Sequence, residues 1–415
     1  MSKRIIVIGG GAAGMMAAGT AAARGLNVKL IEQNKLLGKK LMITGKGRCN
    51  VTNACDDVRD LINNVPTNGA FLYSAFYGFT NHQTMDFFEN LGVPLKVERG
   101  ERVFPVSDKS VDIVSALRRF LIENNVEIIR DRVDDILTED DILTEDDMVN
   151  GVLTQKRGRI YSDSVILATG GMSYQSTGST GDGYTWAENL GHEIIEPMPS
   201  LVPLETCEDW YKELAGLTLK NVEIKVTDSR GKKVYTDFGE MMFAHFGLTG
   251  PIILSASAHM HKMGAENYKL SVDLKPALDE KQLDMRIQRD FADELNRDFK
   301  NSLGGLLPSR LIPEIIKLSG IDPYKKVNSV TKEERSRLVA VLKNLEFNIS
   351  GFCPIDSAII TSGGINVKEI NPSTMESKLV HGLYFAGEII DVDAYTGGFN
   401  LQIAFSTGHL AGSCC

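Results

Sequence analysis

The chain opens on an apolar run, Ile5-Ile6-Val7-Ile8, that breaks at Gly9-Gly10-Gly11 and passes into an alanine- and methionine-rich stretch. A short β-branched run of this kind predicts a buried parallel strand. Ala12 to Arg24 predicts a helix, with Gly25 at the left-handed position just past its end. Asn27 to Glu32 is the second strand, so residues 3–32 form a strand–helix–strand unit with a right-handed crossover. Helices follow over Asn81 to Leu91 and Ser110 to Asn124, a strand over Val126 to Ile129, and another from Ser164 to Ala168 running into Thr169-Gly170-Gly171. Asp135 to Asp140 and Asp141 to Asp146 repeat one acidic hexapeptide. Two copies are too few for a solenoid, and the pair reads as a solvent-facing loop or helical turn.

The pattern changes near Pro197, Pro199 and Pro203. Polar and apolar positions alternate over 221–227, 232–236 and 268–274, with Ser229-Arg230-Gly231 as a hairpin turn. Residues 279–299 and 331–345 are charged and helical, joined through Leu306-Leu307-Pro308. The first style then returns, with a strand over Gly382 to Ala386 and a closing helix over 399–412. This is an α/β chain: one nucleotide-binding domain assembled from both ends, with an insertion between. The expected boundaries are 1–195 for its first part, 196–276 for a β-rich insert, 277–345 for a helical subdomain, 346–356 for a return strand, and 357–415 for its second part.

Composition narrows the classes. With 415 residues, 43% apolar and 24% charged, the chain is ordinary globular protein with ample core. A net charge of −9 disfavours general binding to a phosphate backbone. Six cysteines form no CxxC pair, which suits a reducing, cytoplasmic setting. The first apolar run ends too early for a secretory signal or a membrane span. His259 and His261 make an HxH pair with no third ligand at a known spacing, so no metal is expected.

Gly9, Gly11 and Gly14 spell GxGxxG between a strand and a helix. Gly9 permits the tight turn, Gly11 lets backbone amides approach a pyrophosphate, and Gly14 lets helix and strand pack closely. The helix N-terminus then offers free amides and partial positive charge to the phosphates. Glu32, at the end of the second strand, can accept ribose hydroxyls and repels a 2′-phosphate, which disfavours NADP there. The fingerprint alone leaves NAD and FAD open. A second device near the C-terminus favours the longer cofactor: Gly387-Glu388, then Asp391, then Tyr395-Thr396-Gly397-Gly398-Phe399-Asn400-Leu401-Gln402 entering a helix. Asp391 reads either as a ribityl acceptor or as a turn cap.

Several motifs together resemble one bacterial flavoprotein family. They are the N-terminal fingerprint, Gly45-Lys46-Gly47-Arg48-Cys49-Asn50-Val51-Thr52-Asn53, Arg102-Val103-Phe104-Pro105-Val106-Ser107, Thr177 to Gly183, His245 to Pro251 and Gly382 to Gln402. The chain resembles the HI0933-like FAD-dependent oxidoreductases along nearly its whole length, including members labelled as aminoacetone-oxidase-type. The resemblance implies a glutathione-reductase-like Rossmann domain split between both chain ends, a β-barrel-like insert and a helical subdomain. It implies FAD held by Gly9, Gly11, Gly14 and Glu32 on the ADP half, with Lys39 and Lys40 near the phosphates. Arg48, Cys49 and Asn50 would lie beside the isoalloxazine, and the Val133 backbone against adenine. Thr169 and Gly170 would close over the pyrophosphate, and Asp391, Gly398, Asn400 and Leu401 would hold the ribityl and pyrimidine end. Ala13, Gln33, Gly47 and Gly387 complete the expected cofactor contacts. The other reading of Gly45 to Asn50 is an anion-binding loop unrelated to flavin.

The expected reaction moves two electrons between a small or medium organic substrate and flavin. Cys49 and Cys55 have five residues between them, not the four of the disulfide reductases of this fold, so a redox dithiol is discounted. No second GxGxxG exists, so NAD(P)H would dock transiently or oxygen would reoxidise the flavin. His245 is the candidate acid or base, with interdomain packing as its other reading. Arg48 could bind a carboxylate or stabilise reduced flavin, and a structural salt bridge competes with both. A flavin-dependent tRNA modifier and a non-catalytic flavin-binding regulator are the alternative classes.

Overall fold

A computed structural model describes residues 2–139 and 147–415. It divides into two units, Met1–Ser200 with Ile355–Cys415, and Leu201–Pro354. In the first unit a five-stranded sheet runs Leu383–Phe385, Ser164–Leu167, Arg4–Ile8, Asn27–Glu32, Glu127–Arg130. Every neighbouring pair is parallel, and the inner strands are buried along nearly their whole length, as the β-branched runs require. The architecture is therefore the expected split Rossmann domain, closed by a strand from the far end of the chain.

The opening helix, Ala12–Ala23, packs against the closing helix, Phe399–Cys414, through small residues. A Cβ on Gly408 would come within 2.4 Å of the Ala13 carbonyl, and one on Gly412 within 2.4 Å of the Ala17 carbonyl. The two backbones approach this closely only because both positions are glycine. The hydrophobic pattern carries no sign of this contact, because neither helix gathers its polar residues on one face.

Around this core lie a three-stranded sheet, Thr52–Asn53, Arg102–Pro105 and Leu95–Glu98, and a hairpin sheet including Val133–Glu139 and Asp147–Thr154. The first acidic hexapeptide enters that hairpin as strand, with Ile136 turned into the core, so the loop or helical turn expected there is corrected for 135–139. The second copy, Asp141 to Asp146, lies outside the described residues. Ile194–Ser200, unpredicted because of its prolines, pairs antiparallel with Ile360–Ile365. Its register shifts between Ile195 and Met198, which accommodates Pro197 at a bulge.

The second unit is a closed six-stranded barrel. Its long hairpin, Thr218–Thr227 and Lys233–Ala244, turns where Gly231 adopts a φ of +74°. Helices Glu280–Ala292 and Lys332–Lys343 begin at capping boxes on Asp279 and Thr331. A third helix between them, Ile312–Ser319, starts just after Pro308 with Pro313 in its first turn, and was not foreseen. Leu345–Phe352 returns as a barrel strand, and barrel and helices share one core through Phe347, Leu338 and Leu283. Among the described residues no helix is long and apolar enough to cross a membrane.

Candidate functional site

One cavity of about 830 Å³ runs through the first unit. Both the opening and the closing helix begin on it, at Gly11 and Gly398, and neither start has a side-chain cap. Two sets of free helix amides therefore face the same space, which favours a ligand with negative charge or strong acceptors at both places.

The residues around Gly11 form one end. Gly9 holds a φ of +104°, and a Cβ there would lie 2.4 Å from the Ala168 carbonyl. Gly14 does not line the cavity; a Cβ on it would meet the Gly9 carbonyl at 1.8 Å, which is its close-packing role. Glu32 Oε2 accepts the Gly10 N–H at 2.7 Å, and Oε1 accepts the Asn34 backbone and side-chain N–H groups at 2.7 and 2.8 Å. The carboxylate thus braces the glycine turn while still lining the cavity. Gln33 and Asn34 donate onward to the Gly178 and Thr177 carbonyls at 3.0 Å, which brings the Thr177–Gly183 motif to this end with Val133 and Trp186.

At the other end, Gly45 lies against Asn50 and the Phe104 ring, and Asn53 donates to the Gly397 carbonyl at 3.2 Å. Asn400 clamps the turn before the closing helix, its Oδ1 accepting from Ala394 N at 2.9 Å and its Nδ2 donating to Ala394 O at 2.6 Å. Gln402 Oε1 accepts the Thr52 hydroxyl at 2.6 Å, tying the helix start to the sheet below.

Ala13, Lys39, Lys40, Arg48, Asn50, Val133, Thr169, Gly170, Gly387, Gly398, Asn400 and Leu401 all line the cavity, as do Gly9, Gly11, Glu32 and Gln33. Gly47, Cys49 and Asp391 do not. Cys49 is fully buried with a φ of +62°, and burial pushes its thiol up to about 12. Asp391 does not line the cavity; Asn68 donates to its carboxylate at 2.9 Å and to its carbonyl at 2.7 Å. The acid of this motif that lines the cavity is Glu388, to which the sequence reading gave no role. Its Oε2 pairs with Lys40 Nζ at 2.6 Å, and its Oε1 accepts from Ser173 and Thr361 N at 3.0 and 2.9 Å. Lys40 is correspondingly committed to that carboxylate.

Arg48 is also committed. Its guanidinium donates to Asp108 at 2.7 Å and pairs with Glu98, and it stacks 4.1 Å above Phe104. The Glu98 and Asp108 hydrogen bonds raise its pKa, and Arg48 in turn holds Glu98 below the usual carboxylate range. The salt-bridge reading of Arg48 therefore describes its geometry, and an anion-binding role for it is corrected. His245 belongs to the second unit, at the turn between Lys233–Ala244 and Gly247–Thr249, with its ring edge-on to Phe246 at 4.8 Å.

Two buried polar atoms among the lining residues lack a hydrogen-bond partner, Asn50 Oδ1 and Thr169 Oγ1. A Cβ on Gly11 would meet nothing within 4 Å, so the glycine leaves that space to the cavity. Two uncapped helix starts on one cavity and a cradle that a side chain would fill suit a long dinucleotide, and the residues present fit FAD.

The family model for the HI0933-like protein Rossmann domain matches residues 3–414. The chain belongs to the HI0933-like family of FAD-dependent oxidoreductases. It is 32% identical over 421 residues to a 3-dehydro-bile acid delta(4,6)-reductase of Clostridium scindens, covering 99% of this chain and 98% of that one. It is 29% identical over 405 residues to a ribosomal RNA dihydrouridine synthase of Haemophilus influenzae, covering 97% and 96%. Among solved structures, the Mycobacterium smegmatis Sdh1 complex in its apo form matches with a TM-score of 0.50 at 16% identity, covering 99% of this chain and 67% of that one. That likeness is one of fold.

Proposed function

We propose that this HI0933-like protein is a reductase that adds two electrons and two protons' worth of hydrogen, as hydride plus proton, to an electron-poor carbon–carbon double bond of a small or medium organic substrate. The reading rests on one observation above the others: two uncapped helix starts face a single cavity. The names of both relatives describe reduction, of a delta(4,6) bile acid in one and of uridine to dihydrouridine in the other.

Gly11 and the amides of Ala12 and Ala13 would receive the pyrophosphate, with Thr169 and Gly170 opposite. Glu32 would take the ribose while bracing the turn, and Val133 would border the adenine. Asn50, Glu388, Gly398 and Leu401 would hold the ribityl and ring end. Bound FAD would supply hydride chemistry, with NAD(P)H as a transiently docking reductant. The free amides at Gly398 would stabilise negative charge at the ring's pyrimidine edge. His245 belongs to the second unit and does not line the cavity, so the acid–base expectation for it is not carried further.

The test is anaerobic. The yellow protein, reduced by NAD(P)H, should regain flavin absorbance on addition of an α,β-unsaturated ketone and yield the saturated product. Reoxidation by oxygen alone, with no alkene accepted, would replace the reading with an oxidase. RNA is the second reading, carried by the 29% relative and opposed by the net charge of −9; a uridine-containing ribosomal transcript is its substrate test.

A further inference from the structure

We infer that Lys46 and Arg102 form a receptor for the carboxylate of an anionic substrate at the ring end of the cavity. The inference rests on the reductase reading and adds the class of molecule it takes.

The argument is one of charge accounting. Six cationic side chains line the cavity. Lys40 pairs with Glu388, Arg132 with Asp182, and Arg48 with both Glu98 and Asp108. Lys39 donates to the Ser176 carbonyl. Among the described residues Lys46 and Arg102 pair with no carboxylate, and Arg102 spends only its Nε, on the Arg99 carbonyl at 3.0 Å. Both are exposed at the cavity. They belong to segments far apart in sequence that meet at Phe104: Gly45 approaches its ring, and the Arg102 guanidinium lies 5.9 Å from the ring centroid. The face of Phe104 nearer Arg48 is covered by a guanidinium already neutralised by two acids. Lys39 also lacks a carboxylate, but it is bound to the Ser176 carbonyl beside the Thr177–Gly183 motif, so at the ring end the uncompensated cations are Lys46 and Arg102.

The backbone supports the same assignment. Gly45, Lys46 and Gly47 are left-handed in succession, with φ of +56°, +58° and +84°. Lysine rarely holds that conformation, and an outlier of this kind at a cavity is a sign of function. It fixes where the Lys46 side chain leaves the loop. Two cations beside a ring suit a molecule with an apolar body and one anionic group. A phosphate backbone would call for a longer basic track than two residues on a chain of net charge −9.

Two probes of one skeleton test this: a 3-oxo-4-ene steroid carrying a side-chain carboxylate, and its methyl ester. The holoenzyme should show a KM for the acid about tenfold below that for the ester, with similar kcat. Lys46→Met with Arg102→Met should raise the acid's KM about tenfold and leave the ester's KM, kcat and FAD content unchanged. The conservative pair Lys46→Arg and Arg102→Lys should restore most of the preference. Binding to the oxidised holoenzyme, followed by perturbation of the flavin spectrum, gives a readout that needs no turnover. Tighter binding of the acid without turnover would sink the reductase reading and keep the receptor. Turnover of both probes with equal KM and equal binding would sink the receptor and keep the reductase. A short uridine-containing oligoribonucleotide that displaces the acid, and loses affinity in the double variant, would overturn the receptor as a small-anion site.

Discussion

Gly11 and Gly398 occupy equivalent places, each the uncapped residue before a helix that opens on the same cavity. Their reasons for being glycine differ. Gly11 is extended, with φ −82° and ψ −166°, a conformation any residue adopts, and a Cβ there would meet nothing within 4 Å. Gly398 has φ +103°, and a Cβ there would lie 2.2 Å from the Thr52 carbonyl oxygen. One glycine keeps space for a ligand; the other lets the closing helix sit on the strand beneath it. Two motifs that look alike in sequence thus need glycine for different reasons, open space at Gly11 and close packing on Thr52 at Gly398.

The sharpest way to break this comparison is to put valine at both positions. Gly398→Val combines a left-handed β-branched residue with backbone overlap, which should cost about 3 kcal/mol or more and lower Tm by roughly 5 °C, even without FAD. Recovery of a folded protein with unchanged Tm would show that the helix start can move off Thr52. Gly11→Val should leave the stability of the FAD-free protein within about 1 kcal/mol. It should weaken FAD retention about a hundredfold, or roughly 2.7 kcal/mol, by filling the cradle. Full retention by that variant would place the pyrophosphate elsewhere.

The same contrast explains what could be read in advance. The opening unit was legible because its signals are local: an apolar strand, three glycines at fixed spacing, and Glu32 at the end of the next strand all lie within one stretch of chain. The return of the fold at Gly382 was legible for the same reason. Asp391 kept two readings because its partner, Asn68, is remote in sequence, and nothing near Asp391 signals that contact. Arg48 was ambiguous until Glu98 and Asp108 came to it from a strand and a turn far along the chain. Ile194–Ser200 was hidden because Pro197 and Pro199 read as a boundary, whereas a bulge absorbs them. Gly408 and Gly412 lie in a helix with no polar face, so periodicity had nothing to report.

Glu32 sharpens the comparison from the binding side, because it belongs to both categories. Its oxygens accept from Gly10 and Asn34, so it holds the turn in which Gly11 sits. Glu32→Gln replaces one acceptor with a donor and removes the charge from these bonds. The expected loss is about 1.5–3 kcal/mol, seen both in the Tm of the FAD-free protein and in FAD retention. A loss of retention alone would make the carboxylate a ligand contact only, like Gly11. A loss of stability alone would make it purely a brace, like Gly398.

The smallest effect is expected at the thiols beneath the ring end. Cys49 is fully buried three residues before Thr52, and Cys55 is buried just beyond it. Burial pushes their thiols up to about 12 and about 11. A raised thiol pKa means that folding favours the protonated form. That contribution is complete below the ordinary thiol range and is lost only as pH rises toward the folded values. At about pH 8 both groups are therefore thiols, poor nucleophiles and closed to reagents. A disulfide reagent added to native protein at about that pH should modify exposed Cys207 quickly, and Cys49 and Cys55 only on unfolding. Cys49→Ser should cost about 1 kcal/mol for a hydroxyl in an apolar site and leave turnover largely intact, as should Cys55→Ser. If each variant kept its flavin and lost turnover, the electrons would be passing through the pair. The floor under Gly398 would then be chemistry as well as scaffold.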